Sequence, residues 1–377
     1  MNLDRAIMAG LAAITLVAPS ATAAPRAVKR SIAAEIGYFQ ETSAVAPGVW
    51  VLAEPSFQVQ PIGNVTVIEQ ADGLVLVDAG GSAGSGRRIV ALVRQVSRKP
   101  VKAIVLSQWH GDKVQGLSEL LKAWPNARTI ATRQTQAHLA DPRTMNTPAA
   151  PDPARNAAFV KAQLDAATYM EGEAMKAGPP EQQTGYGNAS AMFRQYALDV
   201  DGTLTIAPKE AFADRLEIAD ARRPVEALYL GRANTDGDAI VWLPRQRILI
   251  AGETVILPFP YGYESYPAEW IAVLRQLRAL PFHVLIPGHG PPQHDRRQID
   301  RIAAALTEVE AQVRPLAAHG LTVDQVQAKV DFSADQRRFV GDNPWLASWF
   351  KAFWVQPIVA SAYKEAKGEP IAQGLTP

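Results

Sequence analysis

The chain has 377 residues, 38 Lys plus Arg against 37 Asp plus Glu, and 47% hydrophobic residues. That is enough for a large buried core, and the near-zero net charge gives no electrostatic footing for nucleic acid or an anionic membrane. The absence of cysteine excludes disulfides, thiolate metal ligands and thiol nucleophiles.

The first element is a weakly basic start with Arg5, an apolar run over 6–18 and Ala21-x-Ala23. That order reads as a secretory signal peptide over 1–23, cleaved after Ala23, with a periplasmic or secreted mature chain. An uncleaved anchor helix is the alternative, but the run falls short of the ~20 residues a span needs. No stable membrane span is expected after cleavage.

Residues 65–81 alternate apolar and polar positions around Asp72-Gly73, a two-residue hairpin signal. Asp78 closes the second strand, and the glycine-rich turn "GSAGSG" (81–86) leads to a helix predicted over 86–99. An apolar strand follows at 101–107, a helix at 114–124 and a strand at 127–132. Residues from about 141 to 200 are rich in Ala, Pro, Gly and Gln, with helical spacing over 154–176 and 188–197. They read as a helical insertion over one face. Strand patterns return at 214–219, 225–231, 238–244 and 247–253; a helix over 267–280 then leads to a strand at 283–290. From 297 to 377 the pattern is a helical extension packed on the same domain, with helix starts at Thr322 and Ser333, each followed three residues on by Gln. The main domain spans 24–296.

The polar chemistry sits in loops that follow apolar strands. One is Gln108-Trp109-His110-Gly111-Asp112-Lys113; others hold Asn234-Thr235-Asp236-Gly237-Asp238, Glu253, and His289 in "PGHG". Two mixed β/α halves with such loops predict a sheet-on-sheet core with outer helices and a site at one sheet edge. "PFPYGYESYPAEW" (258–270) brings Tyr261, Tyr263 and Tyr266 over that edge or forms an ordinary surface loop. Trp345, Trp349 and Phe353 share a helical stripe and read as core. His283 reads as structural, His294 as surface, His319 as a helix end, and His138 as exposed or pocket-lining.

From about residue 49 to 295, these motifs in this order resemble the metallo-β-lactamase fold family. The resemblance implies an αβ/βα sandwich with a helical insertion and C-terminal helices. It also implies a centre in which His-x-His-x-Asp-His, a His before T-x-G-D, an acidic strand end and the His of P-G-H-G hold one or two zinc ions. His110, Asp112 and His289 match that pattern. Gln108, Lys113 and Asn234 stand where histidines are expected, and Glu253 where an Asp is. Neutral amides are weak zinc donors. Asp112, Glu253 and His289, with His110 beside them, could hold at most one zinc. If Lys113 occupies the metal position the site holds none, because an ammonium has no lone pair and repels a cation.

The expected activity is hydrolysis of a small ester, lactone, amide or related carbonyl compound. His110 would position water or stabilise an oxyanion, and Gln108 and Asn234 would hydrogen-bond the same oxygen. The alternatives are a metal-free ligand-binding pseudoenzyme, or a non-hydrolytic enzyme with Lys113 as general base.

Overall fold

The structure, a computed structural model, describes residues 38–59, 62–141 and 153–374. The predicted signal peptide lies outside these residues, as does the start of the predicted insertion. Strands β1 (Glu41–Ala46), β2 (Val49–Ala53), β3 (Val65–Glu69) and β4 (Leu74–Val77) form an antiparallel meander. The sheet then continues in parallel through β5 (Val101–Val105), β6 (Arg128–Thr132) and β7 (Glu210–Phe212). A second sheet holds β8 (Arg215–Ile218), β9 (Val225–Tyr229), β10 (Ala239–Leu243), β11 (Ile248–Gly252) and β12 (Val284–Pro287), in the order β12-β11-β10-β9-β8. Within it β11 and β12 run parallel.

Strands β4, β10 and β11 are buried at every position. Such strands are apolar throughout because both faces are covered. Between the sheets Val51, Val75, Val77 and Val105 meet Ala227, Val241, Ile250 and Ile286. The outer face of the first sheet packs on α1 (Ala83–Val96) and α3 (Leu117–Ala123) through Ile89, Val93, Leu117 and Leu120. The short α2 (Gly111–Val114) lies just before α3, and α4 (Arg133–Ala140) follows β6.

A third apolar cluster covers the second sheet. It joins Trp242 and Leu249 to Trp270 of α7 (Pro267–Ala279) and Leu306 of α8 (Arg297–Ala318). The insertion enters the same cluster: α5 (Pro153–Lys176) and α6 (Pro180–Asp199) contribute Met170 and Met192. So does the C-terminal run of α9 (Val323–Gln327), α10 (Ser333–Val340), α11 (Pro344–Phe350), a π-helical turn (Lys351–Val355) and α12 (Gln356–Lys367), through Val326, Phe339, Trp349, Trp354 and Ile358. The layers are therefore helix, sheet, sheet, helix, the expected αβ/βα sandwich. Among the described residues no helix is long and apolar enough to cross a membrane.

Some local expectations shift. Gln70 N donates to Gly73 O at 2.8 Å, so the hairpin reverses at Ala71-Asp72, one residue early. Helix α1 starts at Ala83 rather than 86, because the Ser82 and Ser85 side chains form a reciprocal cap. The Thr322–Gln325 cap forms as expected. The Ser333–Gln336 one does not: the Asp331 carboxylate takes the Ser333 N–H at 2.8 Å, which leaves Ser333 inside the helix and Phe332 at its cap.

Candidate functional site

The loops meet because parallel strands point their carboxyl ends the same way. At that edge Ala239 N donates to Ser107 O at 2.6 Å, joining the end of β5 to the start of β10. Asp78, at φ 68° just past β4, accepts from Ser107 N at 2.7 Å and Ser107 Oγ at 2.8 Å. Asn64 holds the last loop: its backbone N–H reaches Gly288 O at 2.9 Å, and its side-chain amide reaches Pro287 O at 2.9 Å and Gly290 O at 2.8 Å.

At the centre lie two carboxylates and two cations. Lys113 Nζ is 2.6 Å from Glu253 Oε1, 3.2 Å from Asp112 Oδ2 and 3.3 Å from His289 Nε2, and it donates to Gly288 O at 2.7 Å. His289 Nε2 is 3.1 Å from both Asp112 Oδ2 and Glu253 Oε1. Glu253 Oε1 approaches both cations away from hydrogen-bonding angles, so charge rather than direction holds it. The Lys113 side chain is 0% exposed and that of Asp112 16%.

Two glycines permit this closeness. A Cβ on Gly63, which sits at φ 70°, would lie 2.8 Å from Lys113 Nζ, and one on Gly288 would strike the Glu253 carboxylate.

The ionisation follows the charges. Burial would lower the Lys113 pKa, but Glu253, Asp112 and Asp78 together carry it above the usual lysine value. That is opposite to the lowering a general-base lysine needs, which corrects the expectation of Lys113 as base. Burial and Lys113 press the His289 pKa down, yet the Glu253 charge and the hydrogen bond to Asp112 raise it to about 9. Burial would raise Asp112 and Glu253, but in both the Lys113 charge wins and holds the carboxylate below its ordinary range.

Asp112, Glu253 and His289 do offer ligand atoms within 4.8 Å of one another. A zinc ion bound at about 2.0–2.2 Å from such atoms would need the space where Lys113 Nζ lies 2.6–3.3 Å from the same atoms. With Lys113 in place the residues do not fit a metal there. His110 is not part of this triad.

The other half of the centre carries Gln108, His110 and Asn234. Gln108 and Asn234 are 0% exposed. Asn234 Nδ2 donates to Tyr261 O at 2.6 Å, which fixes the amide orientation. Asn234 Oδ1 and both polar atoms of Gln108 have no partner among the described residues. Burial lowers the His110 pKa, so the imidazole is neutral at pH 7. Its ring meets Trp109 at 4.5 Å; Trp109 meets His138 at 5.5 Å; and His138 Nε2 is 2.9 Å from Asp236 Oδ1. Asp236 N donates to Gln373 Oε1 at 3.1 Å, so the C-terminal tail braces the loop that carries Asn234.

Of the three tyrosines, Tyr261 faces the centre, its ring 5.4 Å from that of His289. Tyr263 packs on Phe353 at 5.9 Å, and the Arg232 guanidinium lies 4.2 Å over Tyr266. Trp349 and Phe353 are core, as read from their stripe, whereas Trp345 is only partly buried and meets Trp349 edge-on at 5.3 Å. His283 and His294 are exposed, and His319 ends α8. Sequence reasoning missed Glu54, Asn64 and Gln373. Burial raises the Glu54 carboxyl to about 8 against the pull of His289 and Lys113, and it accepts from Ile62 N at 3.4 Å. Nothing in its local pattern marks it; only the folded loop brings it near.

Residues 60–289 match the metallo-beta-lactamase superfamily. The linear primary-alkylsulfatase of Pseudomonas sp. (strain ATCC 19151) is 24% identical over 306 residues, covering 75% of this chain and 52% of that protein. The chain thus spans about half the length of this relative. Among solved structures, the stereoselective inverting sec-alkylsulfatase from Pseudomonas sp. aligns with a TM-score of 0.57 at 15% identity, covering 89% of this chain and 52% of that chain. A metallo-beta-lactamase from Pontibacter korlensis aligns with a TM-score of 0.47 at 16% identity, covering 71% of this chain and 99% of that one. At 15% identity the likeness to the sec-alkylsulfatase structure speaks for the fold alone.

Proposed function

Because this chain belongs to the metallo-beta-lactamase superfamily, we propose that it is a hydrolase-like protein acting on a small ester at a site that works without zinc. An alkyl sulfate is the first substrate class to try, since the matched curated relative is named an alkylsulfatase.

The observation that carries this reading is the set of unpartnered buried amide atoms on Gln108 and Asn234. A buried polar atom without a partner costs about 1–3 kcal/mol, so a water or a ligand that satisfies it gains there. Asn234 Oδ1, a carbonyl oxygen, can only accept, and the Nδ2 bond to Tyr261 O fixes which end of the amide it is. It suits a water or hydroxyl. Gln108 can donate to an ester oxygen and accept from the same water. Neutral His110 supplies the base. Water oxygen adds to the acyl carbon or the sulfur while His110 takes its proton. The ester C–O or S–O bond then breaks, its electron pair stays on the alcohol oxygen, and His110 returns the proton to that oxygen.

The test is hydrolysis of p-nitrophenyl acetate, a lactone and a linear alkyl sulfate by chelator-treated protein. Turnover of at least one is expected, unchanged by the chelator. His110→Ala should lose about 10²–10⁴-fold in kcat with the unfolding midpoint kept. Activity that vanishes with the chelator would sink the zinc-free mechanism. Saturable binding of a panel member without turnover would favour a binding protein, the reading that the sealed, charge-balanced Lys113 cluster supports.

We also propose export. Mass spectrometry of the mature N-terminus should find it at Ala24; a chain beginning at Met1 overturns this.

A further inference from the structure

The triad Asp112, Glu253 and His289 surrounds a space of metal-site size, its ligand atoms within 4.8 Å of one another. That space is filled from within the chain. Lys113 Nζ lies 2.6 Å from the first of these atoms it meets and 3.3 Å from the last. A dication and an ammonium packed this tightly repel strongly in a low-dielectric interior.

The lysine has no easy way out. Its side chain is fully buried, Gly288 O accepts from it at 2.7 Å, and its own backbone carbonyl accepts from Ala79 N at 2.7 Å. Gly63 closes over the ammonium so nearly that an added methyl would lie 2.8 Å from Nζ. Only a residue without a side chain leaves room there.

We propose that the Lys113 ammonium is the resident cation of this centre, barring divalent metal in the intact protein, and that shortening this one side chain opens a metal site made by Asp112, Glu253 and His289. The carboxylates that now pair with Lys113 are the harder, anionic donors a zinc ion accepts alongside one imidazole, with an open position for water. The inference shares the zinc-free premise of the ester reading, but metal content is measured without turnover, so a failure of one is told apart from a failure of the other.

The experiment is metal analysis and thermal unfolding of the full chain, stripped with chelator and dialysed against excess zinc. Wild type should carry less than about 0.1 zinc per chain and show no shift in Tm. Lys113→Ala should carry about one and regain Tm with zinc, by linkage of binding to folding. Lys113→Met keeps the space filled and should bind none. His289→Ala added to Lys113→Ala should weaken binding at least tenfold. Stoichiometric zinc in wild type that His289→Ala removes overturns the proposal, and so does a folded Lys113→Ala protein that takes up none. Should Lys113→Ala not fold alone, refolding with and without zinc reads the same site: recovery only with zinc supports it, and failure with zinc overturns it.

Discussion

The two halves of the centre handle polarity in opposite ways. Around Lys113 two cations face two carboxylates within 3.3 Å, and every member is buried or nearly so. On the loops after β5 and β9, Gln108 and Asn234 are just as buried, yet they keep amide atoms unpartnered among the described residues. The first half is satisfied from inside the chain and reads as structure. The second is incomplete, and an incomplete buried polar group is where a ligand gains most.

Breaking the satisfied half should have the largest effect. Lys113→Met leaves two carboxylates with only His289 for company, and losing one partner of a buried charge cluster costs about 3–5 kcal/mol. Urea unfolding measures it. A cost under about 1 kcal/mol would mean that the ammonium does not hold this half together.

The same half should respond to pH. His289 is raised from 6.5 to about 9, so its contribution is fully present below pH 6.5 and is lost as pH rises through about 9. Glu54, raised from 4.5 to about 8, has the same sign in its own window. Asp112 and Glu253 are lowered, so their contribution holds above the ordinary carboxylate range and fails as acid protonates them. The urea midpoint should therefore fall on the alkaline side between pH 6.5 and 9, and His289→Gln should remove part of that slope. A midpoint flat across this window would contradict the charged imidazole.

The unsatisfied half should tolerate apolar replacement. Gln108→Met removes orphaned atoms at similar volume, so stability should stay level or rise by about 1 kcal/mol while any ester turnover or ligand affinity falls. Asn234→Leu should instead lose about 1 kcal/mol, since it also breaks the bond to Tyr261 O. Equal losses from the two would erase the distinction between them. Gln373→Ala, outside the centre, should cost a comparable amount, about 0.5–1.5 kcal/mol, by freeing Asp236 N and Glu264 O.

Much of the scaffold was legible because hydrophobic period and punctuation are local. The strand at 101–107, the helix at 267–280 and the Thr322–Gln325 cap appear almost where spacing put them. Ser333–Gln336 was not, because Asp331 competes for the same N–H. The replacements at 108, 113, 234 and 253 could be read as changes in donor chemistry. What those donors touch could not. Glu54 carries no local signal at all, and Gln373 acts on a residue 137 positions away.

The sequence alone determined the order of strands and helices, the loops that carry polar groups, and the weak metal-donor character of those groups, since each follows from residue type and short-range spacing. Only the tertiary structure decided where the charge of Lys113 points. Burial makes an ammonium seek carboxylates, and the carboxylates of Asp112 and Glu253 converge on it only once two sheets meet at the Ser107–Ala239 contact and Asn64 and Gly63 seal the space.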